Sequence, residues 1–246
     1  MTRRRRRAND PAPGSGRRSR APAAEPVFDR DVVVARLTEG LDALGLDSTP
    51  GSADLAGRLA AYLALLARWN SAYNLTAVRD PVEMVARHVL DSLAVEPWVV
   101  GPRIADVGTG CGLPGIPLAL LRPRDRFALI DAAGKRTRFV RHAVARLGLD
   151  NVEVIAARVE DYDGGPGFDT VVSRAFAAVG DFVRAAGHLR RGGGRLLAMK
   201  GVLPCAELGA LPAGWRVTGL GRLTVPGLAA ERHAVLLSGP PEDEAR

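Results

Sequence analysis

Cysteine is nearly missing from this chain of 246 residues: Cys111 and Cys205 are the only two, far apart, with no C-x-x-C spacing. That argues against a disulfide framework or a thiolate zinc site, and the expected compartment is a reducing cytoplasm. Long apolar runs are missing as well. Charges and prolines interrupt every stretch before it reaches membrane-spanning length, so no membrane span is expected. The arginine-rich start has no apolar segment behind it, which argues against a secretory signal. Metal-ligand clusters are missing too. His88 and Asp91 stand three apart on one helical face with no third ligand nearby, and are read as capping and packing residues.

What charge there is sits unevenly. The formal net charge is +7, and residues 1–26 carry eight arginines against Asp10 and Glu25. This segment, rich in Arg, Pro, Gly, Ser and Ala, is expected to be a disordered tail able to attract phosphates. The rest of the chain is close to neutral, with 47% hydrophobic and 25% charged residues overall, which suits one core domain plus extras.

The chemistry concentrates in Ile104–Pro117. Ile104 to Val107 reads as the end of a buried strand, four glycines follow at Gly108, Gly110, Gly112 and Gly115, and an apolar helix begins near Pro117. Strand, glycine turn and helix make a site for an adenosine-type ligand at the edge of a parallel sheet. Gly110, Gly112 and Gly115 fit the dinucleotide spacing G-x-G-x-x-G. Gly108, Gly110 and Gly112 fit G-x-G-x-G, the spacing of S-adenosylmethionine sites. The second is favoured, because it starts directly after Asp106-Val107 and leaves neither Asp106 nor Gly108 unexplained. Asp131 ends the next apolar run, where a carboxylate accepts hydrogen bonds from ribose; the alternative is a helix cap.

Around this loop the expected order is helices first, then alternating strand and helix. Apolar spacing predicts helices over Asp29–Leu44, from a cap at Ser52 to about Asn70, and from Asp80-Pro81 to about Val95. Strands are expected at Phe127–Ile130, Val152–Ile155, Phe168–Val172 and Arg195–Met199, with a closing antiparallel pair at Trp215–Val225 and Arg232–Leu237. Lys135–Leu147 reads as a basic amphipathic helix, and Val179–Leu189 as a helix stopped by Gly192-Gly193-Gly194. Gly108, Asp131, Val159-Glu160, Arg174 and Lys200 then all fall at the carboxyl ends of strands, where open parallel sheets bind ligands. Val159 and Glu160 would flank an adenine ring, and Arg174 would hold a carboxylate or phosphate.

The segments Arg68-Trp69-Asn70…Tyr73-Asn74-Leu75-Thr76, Arg87-His88…Asp91-Ser92, Asp106-Val107-Gly108-Thr109-Gly110…Gly112-Leu113-Pro114-Gly115, Gly134-Lys135-Arg136, Ser173-Arg174-Ala175-Phe176-Ala177 and Lys200-Gly201 occur in this order. Together they resemble the RsmG (GidB) family of 16S ribosomal RNA guanine-N7 methyltransferases, from about Asp29 to Leu237. The resemblance implies an α/β fold: a Rossmann-like class I S-adenosylmethionine methyltransferase with a mostly parallel seven-stranded sheet and an N-terminal helical extension. It implies cofactor contacts at Gly108, Leu113, Val159, Glu160 and Arg174, to which the ribose argument adds Asp131. The expected organisation is a tail over 1–26, a helical region over 27–98, the methyltransferase domain over 99–239 and a polar tail over 240–246. Cys111, where Pro or Ala is usual, and the arginine-rich tail depart from the family pattern.

Guanine N7 carries a lone pair and no proton, so the reaction needs alignment rather than a base. No catalytic residue is therefore assigned. An Asn/Asp-Pro-Pro-Tyr-like segment for amine methylation is missing, and Cys205 is read as a small core cysteine rather than a nucleophile. Arg136, Arg174 and Lys200 are the candidate contacts to 16S rRNA or the small-subunit particle. The expected protein is a monomer without metal or membrane attachment. A dinucleotide-dependent oxidoreductase and a non-enzymatic RNA-binding protein are the alternative readings.

Overall fold

Seven strands form one sheet in the order β3-β2-β1-β4-β5-β7-β6. They are β1 Arg103–Val107, β2 Arg126–Ile130, β3 Val152–Ile155, β4 Phe168–Ser173, β5 Arg190–Lys200, β6 Arg216–Arg222 and β7 His233–Ser238. β1 to β5 pair in parallel, and β7 runs antiparallel to both β5 and β6. The computed structural model describes residues 27–46, 54–203 and 205–240. The disorder expected of 1–26, the cap expected at Ser52 and the tail beyond Pro240 lie outside the described residues.

Two-residue periodicity splits the strands between two cores, because successive side chains point to opposite faces. Ile104, Phe127, Leu129, Val172, Leu197 and Leu236 join one cluster. Ala105, Ala128, Ile130, Val171, Leu196 and Val235 join the other. The first cluster also takes in α1 (Arg30–Ala43), α2 (Leu55–Tyr73), α3 (Pro81–Met84), α4 (Asp91–Leu93), α5 (Gly115–Leu121) and α6 (Gly134–Leu147). The second is covered by α7 (Val179–Ala186) and the short turns around it, with α8 (Cys205–Leu208) beside them. The N-terminal helices thus share one core with the sheet.

The helix starts follow their caps. Asp29 accepts from the amides of Asp31 and Val32, and Asp80 from Val82 with Pro81 behind it. The Pro81 helix reaches Leu93 through a π turn at Val85–Leu90, an irregularity frequent at functional sites. α2 does not break at Asn70 as expected but runs to Tyr73. The Asn70 side chain is buried and spent on the next loop, accepting from Thr76 N at 2.8 Å and donating to Val78 O at 3.2 Å, so it does not compete for its own helix.

Two further expectations are corrected. Gly192-Gly193-Gly194 is no helix stop: α7 ends at Ala186, a 3-10 turn covers Gly187–Leu189, and the glycines lie inside β5. The β4–β5 register shifts there, and a Cβ on Gly194 would sit 2.6 Å from the Phe168 carbonyl oxygen. Cys205 is exposed rather than part of the core.

Candidate active site

The parallel strands bring their carboxyl ends to one edge, and the glycine loop leaves from the centre of it. Gly108 and Thr109 donate to the Ile130 carbonyl at 2.9 and 3.1 Å, pinning the loop across β2. Asp106 is fully buried beneath. Its Oδ2 accepts from Thr109 Oγ1 at 2.6 Å and from Gly115 N at 2.8 Å, while Oδ1 has no partner among the described residues. Burial pushes the Asp106 carboxyl up to about 6, against the lowering effect of those two hydrogen bonds. The carboxylate is therefore a brace for the loop and for the start of α5. From the other side Tyr62 of α2, fully buried, donates to the Cys111 carbonyl at 2.8 Å.

Glycine is required here for two different reasons. Gly108 has φ +69°, and a Cβ on it would lie 2.7 Å from the Ala175 Cβ in the segment after β4. Gly110 has φ +61°, yet a Cβ there would meet only the Gly108 oxygen, at 3.9 Å. The first glycine serves the protein's own packing; the second faces open space. That open cradle, the unfilled Asp106 acceptor and the Asp131 carboxylate at the end of β2 fit an adenosyl cofactor.

Asp131 is bound within the protein itself. Oδ2 accepts from Gly110 N at 2.9 Å, Oδ1 accepts from Ala133 N at 2.8 Å, and Arg136 stands 3.6 Å away. It ties the glycine loop to the start of α6, so the helix-cap alternative describes part of its work; each oxygen keeps a lone pair for a ribose hydroxyl. Val159 is buried and Glu160 exposed in the turn after β3. Leu113 is buried in the core and its amide donates to Thr109 O.

Arg174 and Lys200 come together in a cleft of about 470 Å³, lined also by Arg87, His88, Asp91 and Arg232. Arg136 lies elsewhere, on α6. Asp91, 2% exposed, is clasped by Arg174 Nη1 at 3.0 Å and by Arg232 Nε at 2.7 Å. Lys200 Nζ stands 3.5 Å from Glu207 and donates to the Ala177 carbonyl. His88 Nε2 and Thr76 Oγ1 lie 3.0 Å apart, and burial, then the Arg174 charge, lowers His88 to about 4, so it is neutral at pH 7.

The sequence reading gave Asp91 only a capping and packing role and gave Arg232 none, yet both line the cleft. Asp91 stands with Arg87 and His88 in one of the segments that carry the family resemblance. Its partners lie 83 and 141 residues away, and no local spacing points to them.

This strand order, with β7 alone reversed, is that of the Rossmann-like methyltransferases that take S-adenosylmethionine at the end of the first strand, and the glycine cradle places the chain in that class. Among solved structures it is similar in fold to TrmN from Thermus thermophilus (TM-score 0.50, 20% identity, covering 70% of this chain and 52% of that one). It is likewise similar to a SAM-dependent methyltransferase from Aquifex aeolicus (TM-score 0.51, 16% identity, covering 63% and 92%). The family model described as GidB, rRNA small subunit methyltransferase G, matches residues 56–235, and the chain belongs to that family. Relatives named ribosomal RNA small subunit methyltransferase G include one from Stenotrophomonas maltophilia, 52% identical over 208 residues (85% of this chain, 96% of the relative). One from Xanthomonas campestris pv. campestris is 51% identical over 205 residues (83% and 94%). The oxidoreductase and non-enzymatic readings fall with that membership. No described helix is long and apolar enough to cross a membrane, and no metal-ligating cluster occurs among the described residues.

Proposed function

We propose that the protein transfers a methyl group from S-adenosylmethionine to N7 of a guanine in 16S ribosomal RNA, acting as a cytoplasmic monomer. The cleft beside the glycine loop carries the proposal. It holds four cationic side chains and one carboxylate, and neither of its possible bases is available: His88 is hydrogen-bonded and hard to protonate, and Asp91 is clasped twice. Such a cleft suits a nucleophile that has no proton to lose.

S-adenosylmethionine supplies an electrophilic methyl on a sulfonium. The loop from Gly108 to Gly112 and the carboxylate of Asp131 would hold it, with Val159 and Glu160 flanking the adenine. Arg174, Lys200 and Arg232 draw in the RNA phosphates and orient the guanine. The N7 lone pair forms the new C–N bond as the C–S bond breaks; its electron pair stays on sulfur, and the positive charge passes to the base. Holding N7 in line with the methyl can lower the barrier by up to about 7–11 kcal/mol.

Calorimetric titration tests the ligand half of this reading. S-adenosylmethionine is expected to give a saturable heat and NAD none. Binding of NAD without S-adenosylmethionine would overturn it.

A further inference from the structure

α2 and α6 lie side by side next to the glycine loop. Five lysines and arginines sit on α6 and two on α2, and neither helix contains a carboxylate. Among the described residues only Arg136 of these seven pairs with an acid, Asp131. On this face the Trp69 ring is held by Phe139 at 5.6 Å, His142 at 5.3 Å and Tyr73 at 5.2 Å between centroids. Tyr73 ends α2 and is 44% exposed. Its ring is backed by Trp69, and Lys135 Nζ donates to its carbonyl at 2.7 Å. A half-exposed aromatic ring, held from behind and set between two helices that carry cations and no carboxylate of their own, is the arrangement on which unpaired bases stack while cations meet the phosphates.

We infer that the α2–α6 face is a second RNA-contact surface, where an unpaired base stacks on Tyr73 and Lys135 and Arg138 meet the flanking phosphates. It adjoins the cofactor loop through Arg136 and Asp131, whose Oδ2 accepts from Gly110 N. RNA held here reaches the cleft of Arg174 and Arg232 while a stretch beside the target is fixed. The inference rests on the RNA-methyltransferase reading and adds a docking site outside the cleft.

The test uses a 16S rRNA transcript and the full chain, reading affinity across a salt series. Tyr73→Ala is expected to bind roughly tenfold more weakly, within the range for one stacked base, with the salt slope unchanged. Tyr73→Phe is expected to restore binding. Arg138→Ala is expected to flatten the slope by about one phosphate contact. All three should keep the wild-type affinity for S-adenosylmethionine, which separates docking from folding. Wild-type affinity in Tyr73→Ala, or Tyr73→Phe as weak as Tyr73→Ala, would overturn the stacking surface while leaving methyl transfer standing. Anionic lipid vesicles bound in a Tyr73-dependent way, with RNA indifferent to Tyr73, would overturn it in favour of a membrane. A wild-type chain that binds S-adenosylmethionine but neither the transcript nor small-subunit particles would overturn both readings.

Discussion

Gly110→Val is expected to weaken S-adenosylmethionine binding by about 100-fold or more while leaving the fold in place. The new side chain enters open space, since a Cβ at Gly110 meets nothing nearer than the Gly108 oxygen at 3.9 Å. Its cost to the protein is the left-handed backbone at φ +61°, about 1–2 kcal/mol for a residue with a Cβ. Its cost to the ligand is steric exclusion from the cradle, expected to weaken binding by about 100-fold or more, about 2.7 kcal/mol. Gly108→Val is a poorer test, because its Cβ already strikes Ala175 at 2.7 Å and the loop shifts with or without ligand. Calorimetry and a urea unfolding curve on each variant separate the two cases. A folded Gly110→Val protein that binds as tightly as wild type would remove the cofactor from this loop.

Asp91→Ala is expected to damage both stability and turnover. Asp91 is 2% exposed and is the carboxylate facing Arg174 and Arg232, which are only about a quarter exposed. Removing it leaves two neighbouring guanidiniums without a counter-charge. Breaking a fully buried pair costs about 3–5 kcal/mol; the partial exposure of the arginines brings the expectation to about 2–3 kcal/mol. The same change frees both side chains from the geometry that aims them at RNA, so methyl transfer is expected to fall further than the lost folded fraction explains. Asp91→Asn keeps an acceptor and should lie between the two. Unchanged urea midpoints and unchanged turnover in Asp91→Ala would show that the clasp does neither job.

The elements that carry strong local signals were legible in the sequence. Val152–Ile155 matches β3, and the closing antiparallel pair was expected from its β-like segments, though nothing local showed that β7 inserts between β5 and β6. Asn70 and Gly192–Gly194 misled because tertiary partners decide their roles: the loop at Thr76 and Val78 absorbs the amide, and the start of β4 demands glycine in β5. Arg174 and Lys200 line one cleft and Asp131 accepts from Gly110 N, because parallel strands share one carboxyl edge. The Asp91 clasp was not legible, since it joins a helix of the N-terminal region to the ends of two distant strands.

The central claim, transfer to guanine N7, is tested most directly by the chemistry of the product. N7-methylation leaves a fixed positive charge on the purine and weakens its glycosidic bond, so borohydride followed by aniline cuts the chain at that base. Small-subunit ribosomal RNA or particles from cells lacking the enzyme, incubated with the protein and S-adenosylmethionine, are expected to show one new cleavage site. It should be lost when Arg174, held at 3.0 Å from Asp91, is replaced by Ala. Methyl transfer into cytosine, into an exocyclic amine or into protein, with no aniline cleavage, would contradict the account.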